Sequence, residues 1–314
     1  MMNFKFIRKV LFTLVTILLV LGNSLAFADD QGTFGGDDAA PVSVTISPFI
    51  TFSNSSHVAN GVALRNRTSG TIHLRGVPIS SPVVKAFLYW NYSDMVAIGA
   101  TTSPALFNGN LIIGNKTADN RDPCWNMTGN HTYRSDVTPW VLSSPGHPNQ
   151  DYQVVIGFNS KTSTTGQNPW SPWEAQKQRL EGATLVVVYE GSGKVSIYDK
   201  LNGTTMFGGT GTFNLVFSPS SSWGLFTVTG ADGQRQGVYG NTDTFFNGNL
   251  ILDNWGSNPG YPANDWNGNT GAPFPQLWDV HTHWLPFLIP GVNQQVSFNV
   301  ANDCVVPVAF VLDD

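Results

Sequence analysis

Phe107-Asn108-Gly109-Asn110-Leu111-Ile112 recurs without change as Phe246-Asn247-Gly248-Asn249-Leu250-Ile251. An Asn-Gly pair between an aromatic residue and an apolar run marks a two-residue β-hairpin, because a type I′ turn needs positive φ at both central positions. The landmarks after each copy keep their order. Asp136-Val137, Pro145-Gly146 and an alternating run from Tyr152 to Phe158 follow the first copy. Asp279-Val280, Pro290-Gly291 and the run Gln294 to Val300 follow the second. Each series closes on a strongly apolar stretch, Thr184 to Tyr189 and Val305 to Leu312. The pattern predicts an all-β chain of two tandem related β-sandwich units of jelly-roll type. They cover residues 42–205 and 206–314 and join near Leu201 to Thr212.

Outward from the hairpins, Val42, Val44 and Ile46 alternate with Ser43 and Thr45, the mark of a half-buried strand. That strand has two candidate partners, its own unit or the sheet edge of a neighbouring copy. Val83 to Tyr92 is apolar on both faces and belongs in a sandwich interior. Gln295, Ser297 and Asn299 are polar between Val296, Phe298 and Val300, so that strand has one wet face. Glu181 to Glu190 and Lys194 to Asp199 are expected to pair as a hairpin across Gly191-Ser192-Gly193. Asp136-Val137-Thr138-Pro139-Trp140 reads as a sharp corner in which the carboxylate accepts backbone N–H groups. Asp279 is assigned the same role by its repetition. The one helix with start signals, Ser171-Pro172-Trp173-Glu174 running on to Leu180, lies in an insertion of the first unit.

Residues 1–28 have the form of a signal peptide. Lys5, Arg8 and Lys9 precede an apolar stretch, and Ala26-Phe27-Ala28 supplies a cleavage site. Cleavage there leaves 13 basic against 21 acidic residues, a net charge of −8, which opposes nucleic acid and anionic membranes as partners. No membrane span is expected after cleavage. Residues 29–41 read as a flexible N-terminal arm. In a secreted or cell-surface compartment Cys124 and Cys304, the only cysteines, are expected to form one disulfide.

Leu88-Tyr89-Trp90-Asn91-Tyr92, Phe107-Asn108-Gly109, Asp136-Val137-Thr138, the run Glu181 to Tyr189, Leu277-Trp278-Asp279-Val280 and the closing strand at Asp303-Cys304 together resemble a family. It is an uncharacterised domain of prokaryotic exported and surface-layer-like proteins. The resemblance spans roughly Thr45 to the C-terminus and implies location more than activity. It carries no catalytic residues to transfer. More loosely, the order of elements is similar to galactose-binding-like jelly rolls, a fold that hosts several functions.

Candidate chemistry is sparse. Trp255, Tyr261 and Trp266 cluster with Asn267 and other amides, and Trp170 and Trp173 make a second patch. Flat rings beside amides suit sugar rings, whose C–H faces stack while hydroxyls hydrogen-bond; the same rings also serve as local cores of large loops. Asp279, His281 and His283 share one face of a strand and are of the types that hold Zn²⁺ or Cu²⁺, although successive strand residues diverge. No cofactor is implied. The alternative is Ca²⁺, through the loop Asn264 to Asn269 or through Asp29, Asp30, Asp37 and Asp38. Paired glycosidase acids, a Ser-His-Asp motif and a phosphate loop are all missing from the sequence pattern. The expectation is therefore not an enzyme but an exported structural or adhesive protein, with itself or surface glycans as partners. A carbohydrate-binding module is the alternative.

Overall fold

The computed structural model describes residues 42–65, 67–122, 127–143, 148–157, 178–233, 242–251 and 277–314, with the side chains of 301–303 excepted. The described strands of the first half are β1 (Ser43–Ile46), β2 (Ile50–Ala63), β3 (Ser69–His73), β4 (Val83–Asp94), β5 (Thr102–Phe107), β6 (Asn110–Asp122), β7 (Met127–Asp136), β8 (Asp151–Val155) and β9 (Arg179–Tyr198). Those of the second half are β10 (Met206–Leu215), β11 (Gly224–Ala231), β12 (Thr242–Phe246), β13 (Asn249–Ile251), β14 (Trp278–Leu285) and β15 (Gln294–Asp313). One helix, α1 (Thr138–Leu142), is described. The fold is all-β and sandwich-like.

Both hexapeptides form the turn that their Asn-Gly pairs dictate. Asn108 and Gly109 have φ of 48° and 76°, and Asn247 and Gly248 have 47° and 77°. Phe107 then faces Asn110 across β5–β6, as Phe246 faces Asn249 across β12–β13. Each turn asparagine also clips its hairpin to the next strand: Asn108 Oδ1 accepts the Gln153 N–H at 2.7 Å, and Asn247 Oδ1 accepts the Gln295 N–H at 2.9 Å. Phe107 pairs with β8 and Phe246 with β15, and both rings are fully buried.

Alternation along these strands fills two sandwich interiors. In the first, β3, β8, β5 and β6 face β7, β4, β9 and β2. Trp90, Phe107, Tyr133, Tyr152 and Leu185 lie between them. In the second, β1, β10, β12, β13 and residues 294–300 of β15 face β14, β11 and residues 306–313 of β15. Phe213, Phe226, Phe298 and Phe310 supply its edge-on and tilted ring contacts. A third apolar layer joins the two inner sheets: Phe87, Tyr89, Val186 and Val188 meet Ala231, Trp278, Val306 and Val311. The described residues all fall in one compact unit. Among the described residues no helix is long and apolar enough to cross a membrane.

The structure corrects four readings. Glu181 to Asp199 is not a hairpin: β9 runs unbroken because β2 pairs with it from Ile50 to Ala63, bulging at Ser53–Ser56. The glycines serve close approach instead, since a Cβ on Gly193 would overlap the Asp314 carbonyl and one on Gly191 would come within 2.9 Å of the Ser56 nitrogen. Residues 171–177 of the expected helix lie outside the described residues, but Arg179 and Leu180 are extended. Leu180 is buried in the first interior and pairs with Tyr92, so sheet packing overrides helix propensity there. Asp136 does make the expected corner, accepting the Thr138 N–H at 3.0 Å, and α1 follows it. Asp279 does not: it lies inside β14 opposite Gly230, buried by the sandwich around it. Finally, β1 pairs within the chain, yet with β10 in the second half rather than within 42–205.

The third layer generates a prediction. A Cβ on Gly182 would overlap the buried Trp278 indole, so Gly182→Ala should lower stability by roughly 1–3 kcal/mol, the usual cost of overpacking. Denaturant unfolding measures it, and an unchanged midpoint refutes the close contact.

Candidate functional site

Two clusters of buried ionisable residues stand out among the described residues, and the first spans the layer between the sandwiches. Arg65, at the end of β2, reaches Glu181 of β9 at 2.6 Å and Asp232, just after β11, at 2.7 Å. All three side chains are buried, and Arg179 and Asp122 are buried nearby. Burial pushes the Glu181 carboxyl well up, with the Arg65 guanidinium working against it. Burial, reinforced by Arg65, pulls Arg179 down to about 9. Asn91 and Asn130 exchange amide hydrogen bonds at 2.6 and 2.8 Å, and Asn130 donates to Ser93, which donates in turn to Glu181.

Further ties cross the same layer. His57 of β2 contacts Asp313 of β15 at 2.8 Å through Nδ1 and Thr227 of β11 at 2.7 Å through Nε2. Trp278 Nε1 donates to Thr184, whose hydroxyl also meets that of Thr229. Arg134 pairs with Asp199, which accepts from Tyr89 at 3.1 Å, and stacks its guanidinium 3.2 Å from the Phe49 ring centroid. Burial raises the Asp199 carboxyl, with Arg134 opposing. These contacts hold sheets together; buried groups of this kind must be paired.

The second cluster closes a loop. His131 of β7 has both ring nitrogens on carboxylates: Nδ1 lies 2.7 Å from Asp119 of β6 and Nε2 lies 3.1 Å from Asp94 at the end of β4. Lys116 completes the group, 2.6 Å from Asp119 and donating to the Gly99 carbonyl at 2.7 Å. Asp119 accepts the Gly99 N–H, and Tyr133 donates to the Ala100 carbonyl. Gly99 lies against the imidazole so closely that a Cβ would stand 2.7 Å from His131 Cγ. The loop's tip carries exposed Met95, Val96 and Ile98. Burial disfavours the imidazolium, but the hydrogen bonds and charges of Asp94 and Asp119 outweigh it and raise the His131 pKa. Desolvation likewise opposes Asp119, and Lys116, Gly99 and His131 together hold its carboxyl below the usual range.

An Asp-His-Asp group with both imidazole nitrogens on carboxylates clamps three strands together. Its consequence is linkage. A histidine raised on folding contributes stability that is complete below the unfolded value of about 6.5 and lost as pH rises through the folded value. The destabilisation caused by His131→Gln should therefore shrink as pH climbs from about 6 to about 9, measured by chemical unfolding of both proteins. A gap that is constant or widens over that range contradicts the clamp.

Of the residues singled out from sequence, Asp279, His281 and His283 share the inward face of β14, as their spacing implies. His281 Nε2 lies 3.3 Å from Asp279, and the two imidazoles run parallel with centroids 6.3 Å apart. Among the described residues no group of three His, Cys, Asp or Glu is placed to hold a metal ion. Cys304 is buried opposite Phe207, whereas Cys124 lies outside the described residues. So do Trp170, Trp173, Trp255, Tyr261, Trp266, Asn267 and the calcium candidates at 29–38 and 264–269. Arg65 and Glu181 went unmarked because each borders an apolar run and their partner Asp232 is distant in sequence. The weak available signal was rarity: three glutamates in the chain, one of them leading into an apolar run.

No protein-family model matches the chain, and no relative was found among curated proteins.

Proposed function

We propose that the protein is a non-catalytic structural or adhesive component of a cell surface or extracellular matrix, built as a scaffold of two related sandwich units. One observation carries the reading. Two buried ionisable clusters, Arg65 with Glu181 and Asp232, and His131 with Asp94 and Asp119, act as internal ties. Acid–base catalysis asks the opposite of such groups, namely a nitrogen or carboxyl facing substrate. The matching hairpins at Asn108 and Asn247, each clipped to the strand that follows, support the relation between units. Export rests on the n-region, apolar stretch and A-x-A site at the N-terminus. The resemblance to exported and surface-layer-like domains points the same way.

Fractionation tests the assignment. The protein is expected with the cell surface or matrix, in assemblies larger than a monomer. Soluble monomers alone, together with sugar-specific retention lost in Trp266→Ala, would replace this reading with the carbohydrate-binding one.

Export also favours a Cys124–Cys304 bridge, which by loop closure would contribute roughly 4–5 kcal/mol. Intact-mass measurement after alkylation is expected to show no labelled thiol without reductant and two with it. Two labelled thiols before reduction rule the bridge out.

A further inference from the structure

We propose that β1 is an exchangeable strand through which one copy of the chain docks on the β10 edge of the next. This inference rests on the surface-assembly reading and supplies its contact. The strand stands apart from the sequence that follows it. Its pairing is entirely with β10, in parallel, with Ser43 opposite Thr212 and Ile46 opposite Leu215. Backbone bonds from Thr212 to Val42 and from Val216 to Ile46 extend that ladder at both ends. Ile46 is buried in the second interior, and Val42 and Val44 pack against it. Everything β1 contributes thus goes to the second sandwich, while the chain beyond it enters β2 and the middle of the molecule.

The join between these two roles is short and sharply bounded. Phe49 is fixed, donating its N–H to the Ile197 carbonyl at 2.7 Å and lying under the Arg134 guanidinium. Only Ser47 and Pro48 separate it from β1. The join borders an open crevice of about 360 Å³ lined by residues 44–48 with Lys200, Asn202 and Thr204. Rotation at two residues frees a strand whose attachment is a backbone ladder and three apolar side chains. The vacated β10 edge accepts the same strand from another copy with every contact unchanged, which is the condition for strand exchange. Because the donor strand and the acceptor edge are different surfaces, the contact is head-to-tail and propagates as a filament unless its rotation closes a ring.

Cysteine pairing tests the exchange. Thr45 lies opposite Asn214 in the ladder, and Thr45 is exposed. Chains carrying only Thr45→Cys are mixed with chains carrying only Asn214→Cys, at a concentration where the full-length protein assembles, and oxidised. Peptide mapping separates the new bond from any involving the native cysteines. The expected product is a covalent dimer joined at 45 and 214. The double variant, diluted to monomer, should close the same bond within one chain, which verifies folding and register. If the double variant closes but the mixture gives no 45–214 dimer, exchange is wrong. Assemblies that sediment without that cross-link overturn exchange while leaving the surface reading intact, and monomers at every concentration overturn both.

Discussion

Burial of charge between two sheets is the constraint on which the rest of this structure depends. Arg65 is fully buried where the inner sheets of the two sandwiches meet, and an unpaired guanidinium there would cost several kcal/mol. Its pairing with Glu181 and Asp232 draws the end of β2, the start of β9 and the end of β11 to one point. Around that point the layer is apolar, with Trp278 lying on Gly182 and Val186, Val188, Val306 and Val311 beside it. Apolar area supplies the driving force, roughly 25 cal/mol per Å² buried, and the polar ties select one register. A slip of one residue would turn Thr184, Thr229 and His57 away from their partners.

β9 shows why the layer is continuous. Its first half lines the first sandwich interior through Ala183, Leu185 and Val187, and its last residue, Tyr198, lines the second. β2 follows it throughout, bulging where the ribbon passes from one sandwich to the other. The C-terminal residues of β15 then pair with the far end of β9, Phe310 opposite Tyr198. The halves are thus joined by shared strands.

Local chemistry was legible in the sequence wherever one or two residues decide the geometry. The Asn-Gly turns, the Asp136 corner and the wet and dry faces of 294–300 follow from φ preferences, side-chain capping and period-two alternation. The readings that failed needed a partner remote in the chain. Gly191-Ser192-Gly193 has the composition of a turn, and only the approach of Ser55, Ser56 and Asp314 shows that the glycines make room in a continuous, bulged strand. Asp279 shares a dipeptide with Asp136 but occupies the middle of a ladder, because the dipeptide does not encode its register against β11. The clamp at His131 was invisible for the same reason: Asp94, Asp119 and His131 come from three strands whose order no local pattern records.

The central claim is that the two sandwiches are one mechanical body locked by the Arg65 layer. Equilibrium unfolding followed by amide hydrogen exchange in both halves tests it directly. β4 and β11 should be lost together in one transition. Arg65→Met should lower the stability of both by a similar amount, about 3–5 kcal/mol, as expected for breaking a buried ion pair. Separate unfolding of the halves, or a loss confined to the strands around β4, would contradict it.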